Sequence, residues 1–324
     1  MSRQKRNKRK KRFLKIAVVF LSVLILGFGY FAYQYQEGVS LAEPVEKHKE
    51  YEFHGEKNLD KVNVLLMGVD ARPEEERSRT DSIMVAQYDP KEGTAKLISI
   101  MRDIYTEIPG YKNYKLNTAF YLGGPELLRE TLKNDFDLDI EYYALIDFTG
   151  FERMVDALAP KGIEIDVEKK MSAHIGVSLE PGLQRLNGKE LLGYARFRKD
   201  AEADFGRVRR QQQVMNALKD ELLSASGVVK LPKLVGIAQP YIQTNLQGAD
   251  LLEVMQSVVM HRPETIDTLT IPIMNSFTDE RYEGVGLALD IDFETNKEEI
   301  HSFLEGDSLN QDSMHSSESA SEEY

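Results

Sequence analysis

The sequence predicts an α/β fold with a central, largely buried β-sheet. Short apolar or alternating segments recur between turn residues, and stretches with helical periodicity separate them along most of the chain. This alternation of strand and helix signals favours a sheet that is covered by helices. Of the 324 residues 42% are hydrophobic, which is enough for a sizeable core and excludes a disordered or collagen-like chain.

The first element is an apolar segment behind a basic one. Residues 1–15 contain nine Lys or Arg and no acid, and the 18 residues at 16–33 carry no charge. As a helix this segment would be about 27 Å long, close to the ~30 Å hydrocarbon core of a bilayer. We predict a cytoplasmic segment at 1–15 and a transmembrane signal-anchor at 16–35. A cleaved signal peptide is the alternative, but its apolar run is usually only about 7–15 residues long.

The anchor predicts a single-pass type II protein of the cell membrane, with everything after residue 35 outside the cell. Residues 36–60 are polar and charged, and we predict an extracellular stalk there. The net charge of −12 combines 41 basic and 53 acidic residues, so the chain beyond residue 15 carries 32 basic and 53 acidic residues, or −21. The absence of cysteine excludes a disulfide framework, a thiolate zinc site and a cysteine nucleophile.

The next elements form one predicted catalytic domain at residues 61–304. Apolar or alternating runs predict strands at 62–68, 82–88, 94–100, 142–146, 163–167 and 266–271. Amphipathic periodicity predicts helices at 125–136, 148–158, 188–196 (capped by Asn187), 208–223, 232–241 and 249–261. The last segment, 305–324, is rich in serine and acidic residues without Lys or Arg, and it is predicted to be a disordered tail.

Acidic and basic side chains lie at the ends of the first three strands. Asp70 follows the first strand, Asp81 leads into the second and Arg102 closes the third. Ligands of open α/β sheets bind beyond the carboxyl ends of strands. Two carboxylates there can hold Mg²⁺ together with substrate phosphates. The alternative is structural: Asp70 shapes a turn and Asp81 caps a local structure.

A basic cluster follows the helix at 188–196. Six basic residues lie within the 15 positions 196–210 of an otherwise acidic domain. Arg196 and Arg198 would share one face of an extended segment, and Arg207 and Gln211 would share one face of a helix. Converging guanidinium groups suit the oxygens of a diphosphate. The alternative is a solvated face, or arginines that are paired with nearby acidic residues.

The motifs GVDAR, RTDSI, SIMRD, KLNTAFYLGG, YARFRKD and DFGRVRRQQQ, taken in this order, resemble the LytR-CpsA-Psr family of cell-envelope proteins. The resemblance covers about residues 62–223. It implies a central mixed β-sheet flanked by helices, preceded by one transmembrane helix. It also implies a transferase of Gram-positive-type envelopes. Such an enzyme moves an anionic glycopolymer, of teichoic acid or capsule type, from a polyprenyl-pyrophosphate carrier to peptidoglycan.

The same resemblance implies roles for individual residues. Asp70 and Asp81 would serve Mg²⁺. The pyrophosphate would be bound by a set of mostly basic side chains: Arg79, Arg102, Arg196, Arg198, Asp204, Arg207 and Gln211. From the needs of phosphoryl transfer we further expect Arg102 to stabilise charge on the leaving group, and Asp81 or Asp103 to orient or deprotonate the acceptor hydroxyl, with the choice between the two carboxylates left open.

Three other functions compete with this interpretation. A DNA-binding regulator conflicts with the predicted topology and with the acidic body, so we expect no nucleic-acid partner. A non-catalytic scaffold or sensor that binds polyprenyl phosphates would use the same arginines, and a polyprenyl-pyrophosphate phosphatase would differ only in the attack of water. A slot for the prenyl chain could lie on the apolar faces of 142–158 and 218–252, although those residues serve equally well as ordinary core.

Overall fold

The computed structural model describes Ser22 and residues 29–42, 51–57, 60–69 and 80–306. Its strands are β1 (Val62–Val69), β2 (Thr80–Asp89), β3 (Thr94–Ile100), β4 (Tyr105–Thr106), β5 (Tyr114–Lys115), β6 (Tyr142–Asp147), β7 (Ile163–Val167), β8 (Gly182–Leu186), β9 (Ile242–Thr244), β10 (Ile266–Ile271), β11 (Phe277–Tyr282) and β12 (Gly286–Ile291). Its helices are α1 (residues 29–41), α2 (Asn117–Phe136), α3 (Phe148–Leu158), α4 (Gly188–Arg196), α5 (Ala203–Leu223), α6 (Ala225–Ala238), α7 (Gly248–Met260) and α8 (Phe293–Glu305).

Six strands form the central sheet in the order β10-β3-β2-β1-β6-β9. Strands β10 and β6 run parallel to β3 and β1 respectively, while β2 and β9 are antiparallel to their neighbours. The sheet is therefore mixed, and its strands β1, β3, β6 and β10 all end at one edge. The predicted fold class, a mixed sheet flanked by helices, is confirmed.

The two faces of the sheet have different surroundings, because side chains alternate along a strand. Leu65 and Met67 of β1 belong to the main core, which α2 and α8 complete through residues such as Leu128 and Ile300. Val64 and Leu66, on the other face, border a cavity instead of a close-packed core. The helices α3, α5, α6 and α7 contribute to the opposite wall of that cavity, and with α4 they position the site that is described below.

Several predicted elements keep their bounds in the structure, and others change. The predictions for β3, α3, β7, α4 and β10 are confirmed. The helix predicted at 125–136 instead begins at Asn117, and Gly124, with φ 71° and ψ −157°, interrupts it. Helix α5 begins five residues before the predicted start, and α6 replaces a helix that was predicted at 232–241. Strands β4, β5, β8, β9, β11 and β12 and helix α8 were not predicted from the sequence.

Residues before the first strand contact both the sheet and α2. Phe53 packs on Tyr143 with ring centroids 5.0 Å apart, and the backbone N–H of His54 donates to Glu126 Oε2 at 2.8 Å. These contacts fall inside the segment that was predicted to be a stalk. Among the described residues, no helix combines the length and apolar character needed to cross a bilayer. Most of the predicted anchor, the basic segment before it and the tail beyond residue 306 lie outside the described residues.

Candidate functional site

A cavity of about 980 Å³ separates the second face of the sheet from the helices that cover it. Most of its wall is apolar. All six strands of the sheet contribute residues, and α3, α5, α6 and α7 contribute one apolar stripe each. The lining includes Val64, Leu66, Met84, Ala86, Leu97, Ala144, Phe151, Met154, Val214, Leu218, Leu231, Leu234, Val235, Leu251, Val254, Met255 and Val258.

Both segments that were considered for a lipid slot contribute to this wall. Residues Ala144 and Phe151 come from the first segment, and Leu218 and Leu234 come from the second. A close-packed protein interior holds few voids larger than a water molecule, so a space of this size with an apolar wall is suited to binding a ligand. An apolar chain is the type of ligand that its wall suits.

The polar end of the cavity includes Arg102, in the turn that follows β3. Its side chain is 18% exposed, and its Nη1 forms an ion pair with Asp81 Oδ1 on β2. Its Nε lies 3.3 Å from Asp103 Oδ2, and Lys115 Nζ donates to the other oxygen of that carboxylate at 2.7 Å. Arg102 and Asp81 both border the cavity.

The contacts of Asp103 suit an orienting role. Burial alone would raise the pKa of its carboxyl, but the hydrogen bond from Lys115 and the charges of Arg102 and Lys115 lower that pKa below its usual value. A carboxylate that is stabilised in this way accepts a proton poorly. Asp103 holds Arg102 in place, whereas Asp81 is the carboxylate of the pair that faces the cavity.

Arg207, in the first turns of α5, is the most buried arginine that borders the cavity within the described residues. Its side chain is 7% exposed, and its Nη1 lies 3.0 Å from Asp204 Oδ1. Burial lowers the pKa of its guanidinium, and the nearby charges of Arg102 and Arg198 lower it further, while Asp204 opposes them. In the described part of the chain its Nε has no hydrogen-bond partner. A concentrated positive potential with an unsatisfied donor is suited to an anion.

Three further predicted residues border the same cavity. The guanidinium of Arg196 lies 4.4 Å from the ring centroid of Phe148. Arg198 is half exposed, with its Nη1 3.9 Å from Asp204 Oδ1. Gln211 lies one helical turn beyond Arg207. Arg196 ends α4 and Arg198 lies in the loop after it, so the expectation of an extended segment at these two residues is wrong, although both reach the cavity.

The remaining arginines of the basic cluster are structural. Arg210 is fully buried, and its Nη1 lies 2.9 Å from both Glu168 Oε1 and Asp200 Oδ2. Arg209 pairs with Glu168 and Glu202 at 2.7 and 3.0 Å. The alternative of paired arginines is therefore correct for these two residues. Their network holds the loop after α4, which carries Arg198.

The metal prediction rests partly on residues that the structure does not describe. Asp70 and Arg79 both lie in the segment 70–79, outside the described residues. In the described part of the chain, no three Asp, Glu or His side chains are grouped as a metal site would require. Mg²⁺ commonly binds one or two carboxylates and takes its other ligands from water and phosphate. Asp81 has a hard oxygen donor of the right type, so the residue fits that role.

Three residues that were not assigned from the sequence also belong to the site. Lys199 and His174 border the cavity together with Arg198, and Lys115 orients Asp103. Lys199 stands in the basic cluster, and that signal could have identified it. Lys115 opens the motif KLNTAFYLGG, so that signal could have identified it, whereas His174 belongs to no recognisable pattern and reaches the site through the folding of a distant segment.

Comparisons with known proteins agree with this fold. The model of the LytR_cpsA_psr family matches residues 28–298. The regulatory protein MsrR of Staphylococcus aureus is 49% identical over 280 residues, which cover 86% of this chain and 85% of MsrR. The polyisoprenyl-teichoic acid–peptidoglycan teichoic acid transferase TagU of Bacillus anthracis is 32% identical over 257 residues, which cover 76% of this chain and 84% of TagU. The crystal structure of TagV from Bacillus subtilis superposes with a TM-score of 0.65 at 30% identity, covering 78% of this chain and all of TagV.

Proposed function

The chain belongs to the LytR_cpsA_psr family, whose members include glycopolymer transferases. From that premise we propose that it is a membrane-anchored extracellular phosphotransferase. It moves an anionic glycopolymer, of teichoic acid or capsule type, from a polyprenyl-pyrophosphate carrier to peptidoglycan. The protein would be a single-pass type II protein of a Gram-positive-type cell membrane, held there by the N-terminal segment at 16–35.

One observation carries the proposal: the charged cluster of Arg102, Arg198 and Arg207 opens into a large apolar cavity. A ligand that fills both parts must be anionic at one end and hydrocarbon at the other. A polyprenyl pyrophosphate has this composition. A sugar phosphate or a nucleotide would leave the apolar wall in contact with water.

The reaction needs positioning and charge stabilisation more than covalent help from the protein. A peptidoglycan hydroxyl attacks the phosphorus that bears the glycopolymer, and a new P–O bond forms. The P–O bond to the carrier breaks, and polyprenyl phosphate leaves with the electron pair. Arg102, Arg198 and Arg207 stabilise the negative charge that develops on the leaving phosphate.

Asp81 is placed to assist the acceptor. It lies beside Arg102 and faces the cavity, so it can orient the attacking hydroxyl or take its proton. Asp70 and Asp81 would hold Mg²⁺, which supplies additional charge neutralisation at the pyrophosphate. If Asp81 is a metal ligand, proton removal falls to solvent, because Asp103 is occupied by Arg102 and Lys115.

The test is a transfer assay with the full chain in vesicles that contain a lipid-linked glycopolymer, with peptidoglycan oligomers and Mg²⁺ outside. We expect labelled polymer to become attached to glycan. Arg102→Ala and Asp81→Asn should each lower the rate about 10²-fold or more, since each removes a charge at the reacting centre. Arg185→Ala, which replaces an exposed arginine on β8, is the matched control and should retain the wild-type rate.

The other outcomes of the assay identify the alternatives. Release of free phosphate without attachment would indicate a carrier phosphatase. Tight carrier binding without turnover would indicate a scaffold or sensor, which would also accord with the word "regulatory" in the name of MsrR. Wild-type rates in both site variants would refute the site assignment.

A further inference from the structure

Helix α1 is packed tightly against α6. A Cβ on Gly38 would overlap Lys233 O and would lie 3.1 Å from Gly236 Cα, and a Cβ on Gly236 would lie 2.8 Å from Val39 N. Only glycine at both positions allows the two backbones to approach so closely. The Glu37–Lys233 ion pair at 2.6 Å and a hydrogen bond of 2.7 Å from Tyr35 Oη to Gln239 flank this contact.

The contacts also fix the direction of α1. Tyr35 donates to Gln239, the residue that directly follows the last residue of α6. Gly38, three residues further along α1, instead meets Lys233, which lies six residues before Gln239. Residue numbers therefore rise along α1 as they fall along α6, so the two helices run antiparallel.

The end of α6 lies at the edge of the sheet that carries the arginines. The chain continues from α6 into β9, where Ile242 pairs with Ile146 at the carboxyl end of β6. Phe148, two residues further on, contacts the guanidinium of Arg196. In the first half of α6, Lys230 Nζ donates to Leu158 O at the end of α3. The Tyr35 end of α1 therefore lies beside the carboxyl edge of the sheet.

Helix α6 has a second role as a wall of the cavity. Leu231, Leu234 and Val235 border the cavity, whereas Lys233 and Gly236 meet α1 on the opposite side. Residues 29–35 of α1 are also the last residues of the predicted anchor. Helix α1 thus connects the end of the predicted membrane segment with the wall of the binding cavity.

We propose that the α1–α6 contact is a rigid joint. It holds the carboxyl edge of the sheet, with its arginine cluster, facing the outer leaflet of the membrane. This inference rests on the proposed function, because it takes residues 16–35 to be a membrane anchor. Tyr35 is the last anchor residue and Gly38 lies only about 4.5 Å further along the helix, so the joint acts at the membrane surface.

The orientation can be measured without any catalytic step, because the chain contains no cysteine. Met274 lies three residues beyond the carboxyl end of β10 and is 58% exposed, and Glu92 lies exposed in the turn before β3. The two positions are about 23 Å apart along the strand direction. Met274→Cys and Glu92→Cys, each labelled with a fluorophore in the full chain, are reconstituted in vesicles whose lipids carry a quencher at the headgroup.

We expect stronger quenching at position 274 than at position 92. Gly38→Leu should abolish this difference. Gly29→Leu should preserve it, because nothing in the described part of the chain lies within 4 Å of a Cβ at Gly29 on the same helix. Equal quenching at the two positions, stronger quenching at 92, or identical behaviour of the two leucine variants would overturn the proposal.

An exchange of the charges at positions 37 and 233 controls for the case in which Gly38→Leu simply misfolds. Glu37→Lys and Lys233→Glu should each weaken the difference in quenching, and the double variant should restore it. Failure of the double variant to differ from the single variants would count against the joint. If the orientation is as expected but no polymer is transferred, the result refutes the proposed function and supports the joint. If polymer is transferred without the expected orientation, the result refutes only the joint.

Discussion

Replacement of the buried Arg210 by methionine should destabilise the domain strongly. The guanidinium is fully buried and is held by Glu168, Asp200 and the carbonyl of Phe197, to which Nη2 donates at 2.8 Å. Methionine has a similar length but leaves both carboxylates without this partner. Removal of one member of a buried ion pair costs about 3–5 kcal/mol. For a domain of this size the melting temperature should fall by about 6–20 °C, at about 2–4 °C per kcal/mol.

Thermal unfolding of the full chain in detergent, followed by circular dichroism, measures this change. Arg185→Met is the control, since Arg185 and its partner Glu164 are both more than half exposed and their pair contributes about 0–1 kcal/mol. The reasoning would be refuted if the two variants melted at the same temperature. It would also be refuted if Arg210→Lys, which keeps the charge, were as unstable as Arg210→Met.

Three further predictions concern the site and its surroundings. Burial raises the pKa of Asp135 to about 7, from an ordinary value of 3.8. The free energy of unfolding should therefore fall as the pH rises from about 4 to about 7, because the folded protein holds this proton more tightly than the unfolded chain does. Denaturant unfolding at several pH values should show that Asp135→Asn no longer has this decrease. Arg207→Lys should lower carrier binding about tenfold in a fluorescence titration, because lysine keeps the charge but loses the fork geometry. Ala86→Phe should fill part of the cavity without unfolding the domain, and it should reduce transfer from a long-chain donor more than from a short-chain donor in paired rate measurements.

The regular elements could be predicted because their signals are local. Helix α4 has an Asn187 cap with Glu190 in a capping box, and α3 begins at an Asp147 cap, so the sequence marks both starts. Helix α8 has similar local signals in its Asp292 cap and in Gly306, which mark both of its ends. The hairpin of β11 and β12 was harder to predict, because four of the six residues in its first strand are exposed and three of these are charged.

The sequence indicated two segments that could line a lipid slot, but it could not separate the cavity wall from ordinary core, because an apolar side chain has the same pattern whether it borders a void or a packed core. Val64 and Leu65 are neighbours on β1, and only the placement of α2 and of α6 on opposite sides of the sheet distinguishes their surroundings. The sequence predicted a helix start at residue 125, directly after Gly124, but it did not show that helical turns also precede this glycine, against which Tyr51 lies.

The basic cluster shows how a single run of charge can have two functions. On α5, Arg207 and Gln211 are four residues apart and face the cavity, while Arg209 and Arg210 project from other sides of the helix and meet acidic residues. The helix itself is fixed to the sheet by Gln212, whose Nε2 donates to Ser99 Oγ at 3.2 Å and to Thr270 Oγ1 at 3.1 Å. Neutralised arginines therefore hold the framework, and that framework keeps Arg207 buried and charged at the cavity. Because an acidic body would otherwise repel an anionic lipid, we expect the affinity for such a ligand to come from this face of α5, from the turn at Arg102 and from Arg198 in the loop after α4.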